Sequence, residues 1–424
     1  MNIDINNFNS KKVKKKVDIL ILGAGMIGLS LAYQISRKYK DLSILILDKE
    51  SKIGMHNSGR NSGVLHAGIY YKPGSLRAKV CVEGAKRLKE WCLSEGLNVL
   101  NCGKVIVTQK IDQNKELDLL MDRAMKNGAK VEFIDNKDLK EISPFIRNAT
   151  DKSIWSPNTC VVDPISILER LSYRIKEMGV KVGFNSKITD IDNDKNSVSF
   201  LRNGIENIIY YGHLFNCCGV NTDEVAKKFN ISEDYKILPF KGIYWQLKSN
   251  KQFSFKTNIY PVPDLNLPFL GVHITPNLKG DIFLGPTAVP AFGKENYNGI
   301  NGFDPLLTAN FIGDLSFQML KNLNGFRRYA AEQAFQGFKP FFVKAVQDLI
   351  PSIKSQDLIK SNKVGIRAQL FDIRKKELIQ DFKLITVKNT THVLNAISPA
   401  FTASFALADL IIERSKIFAS SDKL

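Results

Sequence analysis

The chain has 424 residues, room for two domains and a sizeable core. Its apolar and charged fractions are ordinary for a soluble globular protein; no apolar run is long enough to span a membrane, and residues 1–16 lack the apolar centre of a secretory signal. The formal charge of +18 favours acidic substrates, an anionic membrane surface or nucleic acid, but without any nucleic-acid module signature, nucleic acid is not an expected partner.

Residues 1–16, with the basic run Lys11 to Lys16, read as a solvated, mobile lead-in. Val17 to Leu22 is a β-branched and aliphatic run without alternation, the pattern of a strand buried on both faces. It ends in Gly23-Ala-Gly25-Met-Ile-Gly28, after which Leu29 to Tyr39 carries apolar residues at helical spacing. Gly23 permits the tight turn, Gly25 lets a pyrophosphate approach the backbone, and Gly28 lets the helix pack on the strand. A second apolar run, Leu42 to Leu47, closes on Asp48, where a carboxylate can accept bonds from the ribose hydroxyls of an adenosine. This order of elements predicts a dinucleotide site. Its place near the N-terminus favours FAD over NAD, although the motif alone does not separate them.

Gly54 to Tyr71 is a glycine-rich loop, followed by a helix over Leu76 to Glu95, a strand over Lys104 to Gln109 and a surface helix over Asn114 to Asn127. Asp163 caps, and Pro164 begins, an amphipathic helix reaching Lys176. Short strands over Val180 to Phe184 and Ser186 to Ile191 precede a hairpin turning at Asn203-Gly204. Leu214 to Gly219 is again a strand and glycine turn, so the mononucleotide-binding fold resumes there after an insertion. Ile237 to Val289 is strand-rich; if Phe269 to Thr275 is one strand, Phe269, Gly271, His273 and Thr275 share a face. Residues 304–350 read as helical, Val364 to Gln369 as a returning strand, and Ser398 and Pro399 as N-cap and first residue of a helix ending near Arg414. Cysteines 81, 92, 102, 160, 217 and 218 show no paired spacing and no metal-like cluster with histidine, which suits buried thiols in a reducing, cytoplasmic setting. His213 and His392 read as packing residues at a sheet edge and before a helix.

The blocks His56 to Leu76, Asn258 to Asp264, Phe269 to Pro276, Gly365 to Gln369 and Leu394 to Ala400 resemble the flavin-dependent L-2-hydroxyglutarate dehydrogenase/oxidase family. That family lies in the larger group similar to D-amino-acid oxidase and glycerol-3-phosphate dehydrogenase. The resemblance runs from about Asp18 to about Ile412. Arg60 departs from the family's histidine, and Ile397 and Phe401 from its proline and alanine. The resemblance implies an α/β protein with a discontinuous, Rossmann-like FAD-binding domain (17–100, 151–230, 356–415). An antiparallel-sheet α+β substrate domain (101–150, 231–355) accompanies it.

FAD would then lie along Gly23, Gly25, Gly28 and Asp48, with Ser62 and Gly63 at its diphosphate or ring. Gly219 is divided between that role and a plain helix-start glycine. Ser398, Pro399, Ala400 and Thr402 would present a helix start to the flavin N1/C2=O edge. Oxidising a 2-hydroxy acid needs a base, for which His66 and His273 stay open; His66 is also a candidate flavin contact and, ranked last, a flavin attachment point. Arg367 would hold the substrate carboxylate in a bidentate grip. Arg60, Lys241 and Tyr260 are candidates for the far end of a 2-hydroxy dicarboxylate. The expected reaction is FAD-dependent oxidation of L-2-hydroxyglutarate to 2-oxoglutarate, with electrons passing to a quinone-linked acceptor or oxygen and a peripheral contact with the inner face of the cell membrane. Another 2-hydroxy acid, an amino acid, an N-methyl amine or glycerol 3-phosphate are the alternative substrates.

Overall fold

The computed structural model describes residues 15–231, 233–248, 253–265, 270–321 and 335–418, so all but the end of the basic lead-in lies outside the described residues. The chain folds into two compact units, one of Met1–Gly59, Pro164–Ile237 and Leu370–Leu424, the other of Arg60–Asp163 and Leu238–Gln369. The division departs from the expected boundaries, because residues 60–100, 151–163 and 356–369 pack with the second unit. Strand pairing explains the first two: Cys160–Val162 takes Val64–Leu65 on one side and Val99–Leu100 on the other. The long strand Leu358–Asp372 carries the third into the larger sheet.

The first unit is built on an eight-stranded sheet whose centre is parallel. Lys16–Leu22 lies between Ile205–Asn216 and Ile44–Leu47, and Lys181–Gly183 extends the parallel run beyond the latter. Thr390–Asn395 pairs with the far side of Ile205–Asn216, also in parallel. Val17, Leu20, Leu22, Leu45, Leu47 and Leu214 form one buried cluster, so the unalternating apolar pattern marks strands covered on both faces. Helix Met26–Lys38 packs beside Ser404–Ser415, with Tyr33 stacked on Phe405 at 5.5 Å between centroids. The hairpin turns where expected: Asn203 and Gly204 have φ of 50° and 77°, the paired positive values of a type I′ turn.

Two local expectations change. The last helix begins at Ser404 rather than at Ser398. Residues 398–403 instead make successive turns, in which Ala400 N donates to Ile397 O and Ala403 N to Pro399 O. His213 and His392 are not at an edge or a helix entrance but at the buried centre of the sheet, 3% and 0% exposed. His213 bonds Thr391 Oγ1 through Nε2, and His392 Nδ1 accepts from the Asn216 amide.

The second unit holds the larger sheet. From Leu358–Asp372 it passes through Tyr235–Leu247, Ile282–Gly285, His273–Pro276, Asn258–Pro261, Lys104–Val107 and Ser153–Ser156 to Glu132–Ile134. The pairing of Asn258–Pro261 with Lys104–Val107 is parallel, while its neighbours on either side are antiparallel. Trp245, Ile259, Ile274, Leu284, Phe342 and Val346 fill the core on one face. Phe269 lies outside the described residues, and Gly271, at φ 74°, cannot belong to an extended run, so the strand begins at His273.

Candidate active site

The glycine turn of the first unit is a cradle made by the absence of side chains. Gly23 has φ of 104°, and a Cβ there would stand 2.5 Å from Cys217 O. A Cβ on Gly28 would stand 2.0 Å from Gly23 O, so strand and helix approach as only glycine allows. The helix Met26–Lys38 has glycine at its N-cap and no acid in its first turn; Met26 N donates to Ser58 Oγ at 2.9 Å, and the positive end of the helix favours an anion. Asp48 follows the second strand, with Oδ2 accepting from Ala24 N at 2.7 Å and Oδ1 from Glu50 N at 2.9 Å. Its carboxylate is thereby aimed along the turn, with lone pairs to spare for two ribose hydroxyls. The residues fit a dinucleotide pyrophosphate and its adenosine. Gly219, at φ 57°, begins a short 3₁₀ turn in the same unit, and His56 bonds Glu50 Oε1 at 2.8 Å.

The fit yields a test. Gly28→Ala forces the helix off the strand and is expected to cost about 1–3 kcal/mol of stability. The purified variant should carry little flavin, read as the ratio of flavin to protein absorbance. A variant with a full flavin complement would show that the close approach is not needed.

The second unit gathers the other candidates on its sheet. His273 is 5% exposed, and its ring stacks on Tyr260 with centroids 3.9 Å apart. Its Nδ1 lies 3.0 Å from Gly271 O, a contact only an Nδ1–H can make favourably, so Nε2 carries the lone pair. Burial, with Lys104 and Arg367 nearby, pushes this histidine down to about 3 against the pull of the Gly271 bond. His66 follows strand Val64–Leu65 and is half-buried by surface area. Burial first, then the charges of Lys104, His273 and Arg77, hold it well below the ordinary histidine range. Both imidazoles are therefore neutral at physiological pH.

Arg367 comes from the strand Leu358–Asp372, half-buried, its Nη1 donating to Thr287 O at 3.4 Å. The Arg60 guanidinium lies 4.1 Å from the centre of the Tyr297 ring and donates to Val364 O. Lys241 donates to Asn296 Oδ1 at 2.7 Å. Ser62 and Gly63 lie in the turn that enters strand Val64–Leu65, with Gly63 at φ 77° and its carbonyl accepting from Val162 N. Sequence reading missed Lys104, which is 0% exposed and lies 4.3 Å from the Tyr260 ring centre and 5.2 Å from that of Tyr70. A lone lysine opening an otherwise apolar strand was the available signal.

A phosphate-cradling turn on a parallel sheet, and two histidines held neutral with an arginine on and beside a mixed sheet, define a dinucleotide-dependent oxidoreductase. The family described as FAD dependent oxidoreductase matches residues 18–414. The L-2-hydroxyglutarate dehydrogenase of Indibacter alkaliphilus is 35% identical over 401 residues, spanning 93% of this chain and 98% of that one. The mitochondrial L-2-hydroxyglutarate dehydrogenase of Homo sapiens is 34% identical over 415 residues, spanning 93% and 88%. Among solved structures, the FAD-bound L-alpha-glycerophosphate oxidase of Mycoplasma pneumoniae superposes with a TM-score of 0.75 over 95% of each chain; at 18% identity this shows the fold alone. The chain belongs to the FAD-dependent oxidoreductases and, among them, to the L-2-hydroxyglutarate dehydrogenase family; FAD is its cofactor.

Proposed function

We propose that this enzyme oxidises L-2-hydroxyglutarate to 2-oxoglutarate. The observation that carries the reading is identity of 35% along nearly the whole chain to a protein of that name, joined to a buried histidine whose Nε2 is free to take a proton. When bound, FAD would supply the two-electron acceptor for oxidation of the carbinol carbon. Gly23, Gly25, Gly28 and Asp48 would hold its pyrophosphate and ribose, with Gly219, Ser398, Pro399, Ala400 and Thr402 of the same unit as further candidate contacts; Ser62 and Gly63, of the second unit, are candidates from the resemblance. His273 Nε2 takes the hydroxyl proton as the C=O bond forms, because its Nδ1 proton is already committed to Gly271. His66 is the alternative base. Arg367 grips the carboxylate beside the reacting carbon, where a planar fork fixes orientation better than a point charge.

For reoxidation we favour a quinone-linked acceptor reached at an anionic membrane surface over oxygen. The charge of +18 supports an anionic surface, and Ile300, Leu306 and Phe338 of the second unit are exposed apolar side chains. Among the described residues no helix is long and apolar enough to cross a membrane. One experiment addresses both halves. Anaerobic L-2-hydroxyglutarate should bleach the yellow protein while the D-isomer does not, and the bleached enzyme should regain colour faster with a soluble quinone than with air. No bleaching by any 2-hydroxy acid would overturn the reaction; bleaching by an amino acid, an N-methyl amine or glycerol 3-phosphate instead would move it to that substrate. Faster recovery in air would make the enzyme an oxidase.

A further inference from the structure

Lys104 presents a charge problem that the reaction as described leaves unsolved. Its ammonium is wholly buried at the start of the strand Lys104–Val107, and no hydrogen-bond acceptor for it occurs among the described residues. Ring faces of Tyr260 and Tyr70 lie below it, and the groups whose negative form would favour its charge are the thiols of Cys81 and Cys102. Burial raises both thiols, Cys81 to about 12, so neither supplies an anion. The Tyr70 hydroxyl, also buried, is a second donor with no hydrogen-bond partner among the described residues. His66 and His273 lie within electrostatic range of the ammonium, and it disfavours a proton on either. Buried ammonium groups without an anion cost several kcal/mol, and an unmet ammonium 5.2 Å from the ring centre of a tyrosine whose hydroxyl is also unmet calls for an anionic acceptor.

We infer that Lys104 and Tyr70 form a carboxylate subsite that reads the distal carboxylate of the substrate and so selects a dicarboxylate over a monocarboxylate. The inference deepens the reading of this site as that of a 2-hydroxy-acid dehydrogenase and rests on it. Tyr260 lies beside both groups, its ring centre 3.9 Å from that of His273 and 4.3 Å from the ammonium. Arg60 and Lys241, engaged with Tyr297 and Asn296, keep structural tasks. Of the cations near the base, Lys104 is the one fully enclosed, where an ion pair is least screened and discrimination is greatest.

The test compares Lys104→Met and Tyr70→Phe with the wild-type holoenzyme on L-2-hydroxyglutarate and on L-2-hydroxypentanoate, which has a methyl group where the distal carboxylate was. Lys104→Met should raise KM for the dicarboxylate about 10- to 100-fold and leave that for the monocarboxylate within about twofold. Tyr70→Phe should do the same to a smaller extent, about three- to tenfold. Because the methionine removes an uncompensated buried charge at similar volume, the melting temperature of that variant should stay level or rise. Equal losses on both substrates, or a fall in melting temperature accompanied by unchanged selectivity in Tyr70→Phe, would assign Lys104 to structure and overturn the inference while leaving the reaction intact. If wild-type enzyme oxidised neither 2-hydroxy acid, the underlying reading would fall and take the subsite with it.

Discussion

His273→Gln is expected to slow substrate oxidation by about two to four orders of magnitude at saturating substrate, the range for losing a positioned general base. Glutamine can keep a donor toward Gly271 but offers no basic nitrogen, so binding should change little and the loss should fall on kcat. The pH profile gives an independent reading. With the ring pushed down to about 3, its lone pair is available throughout the neutral range, and kcat should show no limb near 6.5 where an ordinary histidine titrates. A base so weak must gain strength when it works. The site begins with cations near the ring, Lys104 and Arg367, which oppose an imidazolium. A bound dianion neutralises both and lifts that opposition, so basicity rises as the correct substrate arrives. Rapid-mixing measurement of flavin bleaching in His273→Gln and His66→Gln decides between the two histidines. A larger loss in His66→Gln would transfer the role.

What could be read from the sequence was what has local causes. The turn from Gly23 to Gly28, the strand before it and the helix after it follow from backbone sterics and periodicity between Lys16 and Lys38, and they fold as read. The same holds for Asn203-Gly204, whose two positive φ values are written into the residue types. The misreadings share a different cause. His213 and His392 are polar, and in a sequence that argues for an edge; their burial depends on Thr391 and Asn216, which arrive from distant strands. Lys104 is hidden for the same reason, since the rings that cover it come from Tyr70 and Tyr260, 34 residues before it and 156 after. Proline after serine at 398 suggested a helix start, yet the turns over 398–403 delay it to Ser404. Local propensity locates a boundary to within a turn and no better. The unit boundaries near Gly59 and Asp163 depend on the pairing of Cys160–Val162 with two strands far from it in the chain, a choice no single segment reveals.

The same buried histidines are expected to make the protein lose stability in acid well above the carboxylate range. Burial pushes His213 and His392 down to about 4 and His273 down to about 3. In the unfolded chain each takes a proton near 6.5. Between 6.5 and the folded values the unfolded state therefore binds more protons, so stability is fully present above about 6.5 and is lost as pH falls. At pH 5 each of the three contributes a loss of about 2 kcal/mol, on the order of 6 kcal/mol together, comparable with the whole stability of a typical domain. Denaturant unfolding at pH 8, 6.5 and 5 should show this fall, beginning a full unit above where aspartate and glutamate titrate. Two of the three residues belong to the first unit and one to the second, so tryptophan-free reporters in the parallel sheet should be lost before those around His273. His392→Gln supplies the control: it removes one titrating ring while its amide can still face Asn216, and should flatten the pH dependence by about a third. A stability that stays level from pH 8 to pH 5 would mean that these rings meet solvent in the folded protein, and the neutral base at His273 would lose its physical footing with them.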